Sequence, residues 1–153
     1  MFFNKIFKKK YFNAADEAQI VEHIRRAEEG CSGEIRLYVE SKVTGGNIDR
    51  RAVVIFKQLK MEQTHHRNGV LIYLASKDKR FAVLGDEGIH QKVGLDFWNH
   101  QAHMMKSSFK EGHLVKGICH SIDQIGIKLK AYFPLQGDQD AENELPNEPV
   151  YGN

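Results

Sequence analysis

Five polar side chains carry the chemistry this chain offers: Glu34 in SGE, Arg67 and Asn68 in RNG, and Asp86 and Glu87 in GDEG. Three carboxylates and a side-chain amide are hard oxygen donors, suited to Ca2+ or Mg2+ far better than to zinc. Brought close together, the carboxylates repel one another, which pushes at least one toward its protonated form. A bound divalent cation relieves that repulsion, and so does Arg67, which can also fork onto a phosphate. Gly85 and Gly88 flank the acids and let backbone approach a ligand closely. Each residue also has a purely structural reading. Asp86 is a good helix N-cap, Glu87 a good first-turn residue, Asn68–Gly69 a turn, and Glu34 with Arg67 a surface ion pair.

Whether the five meet depends on the elements around them. In RNGVLIYLASKDKRFAVLGDEGI, two apolar runs flank a polar turn, which predicts an antiparallel hairpin over 70–85. Its first run is apolar throughout and reads as a central strand covered on both faces. Upstream, SGEIRLYVE alternates apolar and polar residues, so a strand begins at Glu34. A helix opened by Asn13 and closed by Gly30 precedes it, with Ile20, Val21, Ile24 and Ala27 on one stripe. A second helix, opened by Asn47, joins the first two strands, so those strands are parallel with a right-handed crossover. A third helix starts at Asp86 and carries Ile89, Val93, Phe97 and Met104 or Met105. A fourth, capped by Ser107 or Ser108, steps through Leu114, Ile118, Ile122, Ile125 and Leu129. The predicted order is α–β–α–β–β–α–α, an α/β/α three-layer sandwich on a small mixed sheet with a fourth short strand unplaced. Parallel starts and an antiparallel end then bring Glu34, Arg67, Asn68, Asp86 and Glu87 to one rim. The opposite rim holds a rival, the loop SKVTGGNID over 41–49, whose glycines lead into the second helix without a Walker pattern.

The 153 residues suit a single domain over 13–134, with a basic, aromatic arm over 1–12 and an acidic, unstructured tail over 135–153. A formal net charge of +2 gives no global field, so nucleic acid is not an expected partner. The arm MFFNKIFKKKYF lacks the layout of a secretory signal, and its lysines and aromatics suit weak peripheral contact with an anionic membrane. No apolar run approaches the roughly 20 residues that span a bilayer, so the expected location is the cytoplasm. Cys31 and Cys119, far apart and outside any metal-ligand spacing, read as buried free thiols in a reducing compartment. His65, His66, His90, His100, His103, His113 and His120 form no HExxH, and no G-x-S-x-G elbow exists. The C-x4-R from Cys31 to Arg36 is one residue short of a cysteine-phosphatase loop, and Trp98 reads as core.

The strings SGEIRLYV, RNGVLIYLA, GDEGI, FW, FKEGHLVKGI and the closing YFP together resemble the TPM domain, from about Asp16 to Pro134. That family takes its name from thylakoid-lumen proteins of photosystem II repair, a related photosystem protein and a nematode receptor modulator. The resemblance implies a Rossmann-like α/β/α domain and an acidic cleft for calcium or a similar ion. It also implies, for some members, acid phosphatase activity. Residue by residue, the cleft falls on Glu34, Asp86 and Glu87, with Arg67 and Asn68 on the RNG motif. Many relatives carry a secretion signal and a following transmembrane helix; neither is expected here. Two functions follow. The first is a non-catalytic binding module for an unidentified protein partner or phosphorylated ligand, with Glu34, Asn68, Asp86 and Glu87 around a Ca2+ or Mg2+ ion. The alternative is a metal-dependent phosphatase-like hydrolase of phosphomonoesters, with Arg67 on the phosphate and no catalytic nucleophile assigned.

Overall fold

The apolar run GVLIYLA becomes the middle of the sheet. In the computed structural model, which describes residues 11–135 and 145–152, the elements run α1 (Ala14–Glu28), β1 (Glu34–Glu40), α2 (Ile48–Gln58) and β2 (Gly69–Ala75). They continue with β3 (Arg80–Gly85), α3 (Glu87–Val93), α4 (Leu95–Lys110), α5 (Leu114–Tyr132) and β4 (Val150–Tyr151). The sheet order is β3-β2-β1-β4. β1 pairs parallel with β2, Glu34 opposite Gly69, and β3 returns antiparallel, Gly85 opposite Val70. The chain is therefore an α/β protein with a small mixed four-stranded sheet and, among the described residues, five α-helices. No described helix is long and apolar enough to cross a membrane.

Both central strands bury every residue, and successive side chains go to opposite faces. On one face Ile35, Leu37, Val39, Val70, Ile72 and Leu74 pack with Ile20 and Ile24 of α1, Trp98 and Met105 of α4 and the Ile118–Leu129 stripe of α5. On the other, Tyr38, Leu71, Tyr73 and Ala75 pack with Ala52, Ile55 and Phe56 of α2. The α4–α5 contact also holds a polar chain: the Ser121 hydroxyl donates to Gln101 (2.7 Å) and the Gln101 amide donates to Gln124 (2.9 Å). Ser121 and Gln101 are both fully buried.

Four expectations are corrected. The single third helix is two, because Gly94 sits at φ 81° and turns the chain between α3 and α4. Ser107 and Ser108 lie inside α4; α5 starts at Leu114 after Gly112 (φ 79°) turns the chain. The arm expected over 1–12 ends sooner: Phe12 is buried in the core, and residues 1–10 lie outside the described residues. The tail expected over 135–153 returns to the sheet as β4, because Val150 and Tyr151 find paired backbone and apolar cover on β1. Its acidic stretch 136–144 lies outside the described residues.

β1 carries Glu40 into the interior, 4 % exposed. Arg51 of α2 answers it with two parallel bonds, Nε to Oε2 at 2.8 Å and Nη2 to Oε1 at 2.9 Å, and the Tyr73 hydroxyl donates to the same carboxylate. This charged fork clamps α2 to the sheet, and its partners raise the Arg51 pKa. Replacing Arg51 by leucine leaves a buried carboxylate without its counter-charge, so urea denaturation should show a loss of roughly 3 kcal/mol. Arg51→Lys, a point charge without the fork, should recover only part of it.

Candidate functional site

The strand directions bring the expected residues to one rim. Glu34 opens β1, Asn68 precedes β2, and Asp86 follows β3, its N–H donating to Gly69 O at 2.9 Å. Arg67 holds a left-handed backbone (φ 52°), which costs a side-chain-bearing residue about 1–2 kcal/mol. The next turn is built on it: Gly88 N–H donates to Arg67 O at 2.8 Å. A Cβ at Gly88 would collide with the carbonyl oxygens of His66 and Arg67, so only glycine lets α3 seat here.

The five residues divide into two groups. Arg67 forks onto Asp86, Nε to Oδ2 at 2.8 Å and Nη2 to Oδ1 at 2.9 Å, and reaches Glu87 Oε1 at 3.4 Å. Asp86 also caps α3 by accepting from Glu87 N–H (2.8 Å). Asp86 is 7 % exposed, and both its oxygens are answered by protein donors. Glu87 and the Arg67 guanidinium face solvent.

Glu34 belongs to the second group, with a residue the sequence reading passed over. Glu28, in the last turn of α1, accepts a 2.8 Å hydrogen bond from Ile35 N–H and hydrogen-bonds the Glu34 carboxyl. Two carboxyls in such contact disfavour each other's charged form. Burial, then the charge of Glu34, pushes the Glu28 carboxyl up to about 8 against the opposing Ile35 hydrogen bond. One residue before the Gly69 that pairs with Glu34, Asn68 is fully buried; its amide N–H donates to Ser32 Oγ at 3.1 Å, and its Oδ1 has no hydrogen-bond partner among the described residues. A signal for Glu28 was present: acids in the last turn of a helix oppose its dipole, and EEG places two there.

Among the described residues, no three His, Cys, Asp or Glu side chains are grouped to hold a metal ion. The second group offers instead two carboxyls and an amide oxygen, a hard donor set that suits Ca2+ or Mg2+ and leaves the remaining positions to water. Its unanswered Asn68 Oδ1 is the observation that fits a cation. The rival 41–49 loop spends its polar groups internally: Asn47 caps α2, Val43 N–H bonds Asp78, and Arg80 bonds Gly46 O. Cys31 and Cys119 are buried free thiols, both with raised pKa. Of the histidines, His90 accepts from the Trp98 indole (3.1 Å), and His120 meets the Gln124 amide. A groove of about 760 Å³ between α1 and α5, lined by His23, Cys119 and Asp123, lies apart from the rim.

Comparison with known proteins adds to this geometry. The family model described as the TPM domain matches residues 7–127. The NMR structure of BA42 from the psychrophilic bacterium Bizionia argentinensis is 39 % identical, with 94 % of this chain and 97 % of that one covered and a TM-score of 0.83. The N-terminal domain of cg2496 from Corynebacterium glutamicum shares the fold at 9 % identity, covering 84 % of this chain and 78 % of that one (TM-score 0.62). The N-terminal domain of a P. gingivalis protein does so at 12 %, covering 82 % of each (TM-score 0.68). No curated protein matches the chain at a significant level.

Glu28 makes stability depend on pH. Folded, it keeps its proton to about 8; unfolded, it releases it near 4.5. That contribution is fully present below the lower value and is lost as pH rises through the upper one. The melting temperature should therefore fall between about pH 5 and pH 8, and Glu28→Gln, permanently neutral, should flatten the slope. Gly88→Ala should cost about 1–3 kcal/mol in denaturant titration, by overpacking against backbone that cannot yield.

Proposed function

We propose that this chain, which belongs to the TPM domain family, is a binding module that holds one divalent cation of the Ca2+ or Mg2+ type at the rim where β1 and β2 begin. Glu34 and Asn68 are its ligands, joined by Glu28. Asp86 and Glu87, expected in the same set, form the outer wall and hold Arg67 in place. The observation that carries this reading is the Asn68 Oδ1, fully buried and without a hydrogen-bond partner among the described residues. A hard cation suits the Asn68 amide oxygen together with the two carboxyl groups. The two covered sheet faces support a three-layer, Rossmann-like arrangement, and the two buried thiols support a reducing compartment such as the cytoplasm.

A second reading, hydrolysis of phosphomonoesters, is supported by one feature: the partly exposed Arg67 guanidinium stands at the same rim and suits a phosphate oxygen. The cation would supply charge stabilisation there, and Arg67 would orient the anion.

Titration with CaCl2 or MgCl2 should shift the amide resonances of residues 28–35 and 66–69 first. At a hundredfold excess over Kd, the ion should stabilise the fold by about 2.7 kcal/mol, or roughly 5–10 °C in Tm. Glu34→Ala should abolish both effects, whereas shifts centred on 43–48 would move the site to the opposite rim. Turnover of p-nitrophenyl phosphate that needs the ion and falls with Arg67→Ala would select the hydrolase; binding without turnover selects the module.

A further inference from the structure

The short strand β4 covers the edge of a much longer one. It pairs with β1 at two positions alone, Tyr38 with Val150 and Val39 with Tyr151, while β1 spans seven residues. The Gly152 N–H adds one bond to Val39 O at 2.6 Å. The segment straddles the sheet: Leu145 and Val150 pack with the α2 side and Tyr151 with the other. Pro146 and Pro149 lack N–H groups and precede Val150, so the pairing with β1 begins only at Val150.

Beneath this segment lies Arg36, 9 % exposed, whose Nε has no hydrogen-bond partner among the described residues. Burial lowers its pKa, and the charge of Glu148, ahead of that of Glu34, counters the shift. A desolvated guanidinium with an unanswered N–H is an anion receptor. Glu148 stands two residues before Val150 as Arg36 stands two before Tyr38, so the parallel register brings its charge to act on the guanidinium. We propose that the β1 edge and Arg36 form a docking site for an extended acidic peptide of a partner protein, occupied in this structure by the chain's own residues 145–152. The partner adds a strand parallel to β1, places a carboxylate at Arg36 and follows it, two residues later, with a β-branched and then an aromatic residue. Such strand addition draws its affinity from main-chain bonds and its specificity from alternate side chains. A segment held by two residue pairs is locally weak, so a partner competes with it at modest cost, although tethering gives the resident segment a high effective concentration. The cation reading is not needed for this inference, and the test contains no divalent ion.

The test uses the full chain and a fluorescein-labelled peptide of sequence LPNEPVYG, residues 145–152. The double variant Val150→Gly/Tyr151→Gly, which loosens the resident segment, should bind the peptide at least tenfold more tightly than the wild type, with amide shifts at 37–39. Adding Arg36→Gln should remove that gain. A peptide carrying Glu148→Lys should lose it equally, which keeps the contact testable even if the Arg36 variant does not fold. A loosened variant that melts cooperatively yet binds no better than the wild type overturns the proposal. So does a concentration-dependent dimer in sedimentation that excludes the peptide, since the occupant would then be a second copy.

Discussion

β1 and β2 lie side by side in the middle of the sheet and run the same way, and the antiparallel hairpin leaves the end of β3 beside the start of β2. That pairing is the constraint from which the polar geometry follows. The connection through α2 lets the chain return to the same end of the sheet and start β2 beside β1 in the same direction. Three separate stretches of sequence, around residues 28–34, 67–68 and 86–87, are thereby delivered to one edge. The antiparallel turn at 76–79 is delivered to the other, where Asp78 meets the 41–49 loop.

Burying both central strands completely has an electrostatic cost, because β1 is not an apolar strand. It carries Glu34, Arg36 and Glu40 inward, and each is answered differently. Glu40 meets the planar fork of Arg51 and a tyrosine hydroxyl. Glu34 meets another acid, Glu28, whose own pKa is pushed up to about 8, mainly by burial. Arg36 has the field of Glu148 and Glu34, but its Nε has no hydrogen-bond partner among the described residues. The first answer is complete within the chain. The other two leave capacity for a cation and for an anion, and it is there that binding is proposed.

Elements whose pattern is local could be read directly. Asn13 and Asn47 cap their helices as their positions suggested, the α5 stripe is buried from Ile118 to Leu129, and the 70–85 hairpin is antiparallel as expected. What escaped was set by distant parts of the chain. A two-residue strand has no periodicity of its own; Val150 and Tyr151 become a strand because β1 offers them an edge. The alternation in EIRLYVE marked a strand but did not show that its polar side is as fully buried as the apolar one. Glu28 was passed over because its approach to Glu34 depends on the turn between α1 and β1. Gly94 read as one glycine inside a helix, and only its positive φ reveals the break. For the site, strand direction sufficed to gather Glu34, Asn68 and Asp86 at one rim, whereas the assignment of Arg67 to Asp86 rather than Glu34 required side-chain positions.

The buried amide–hydroxyl chain between α4 and α5 has a mechanical consequence. Apolar helix faces can slide past one another with little change in energy, but Gln101 and Ser121 match at one axial phase only. Slippage by a single turn would strand two polar groups in a dry interface, at about 1–3 kcal/mol each. The helical side is therefore ratcheted in place, and any conformational response to a ligand must be absorbed by connecting segments and strand edges rather than by shear of its longest helices.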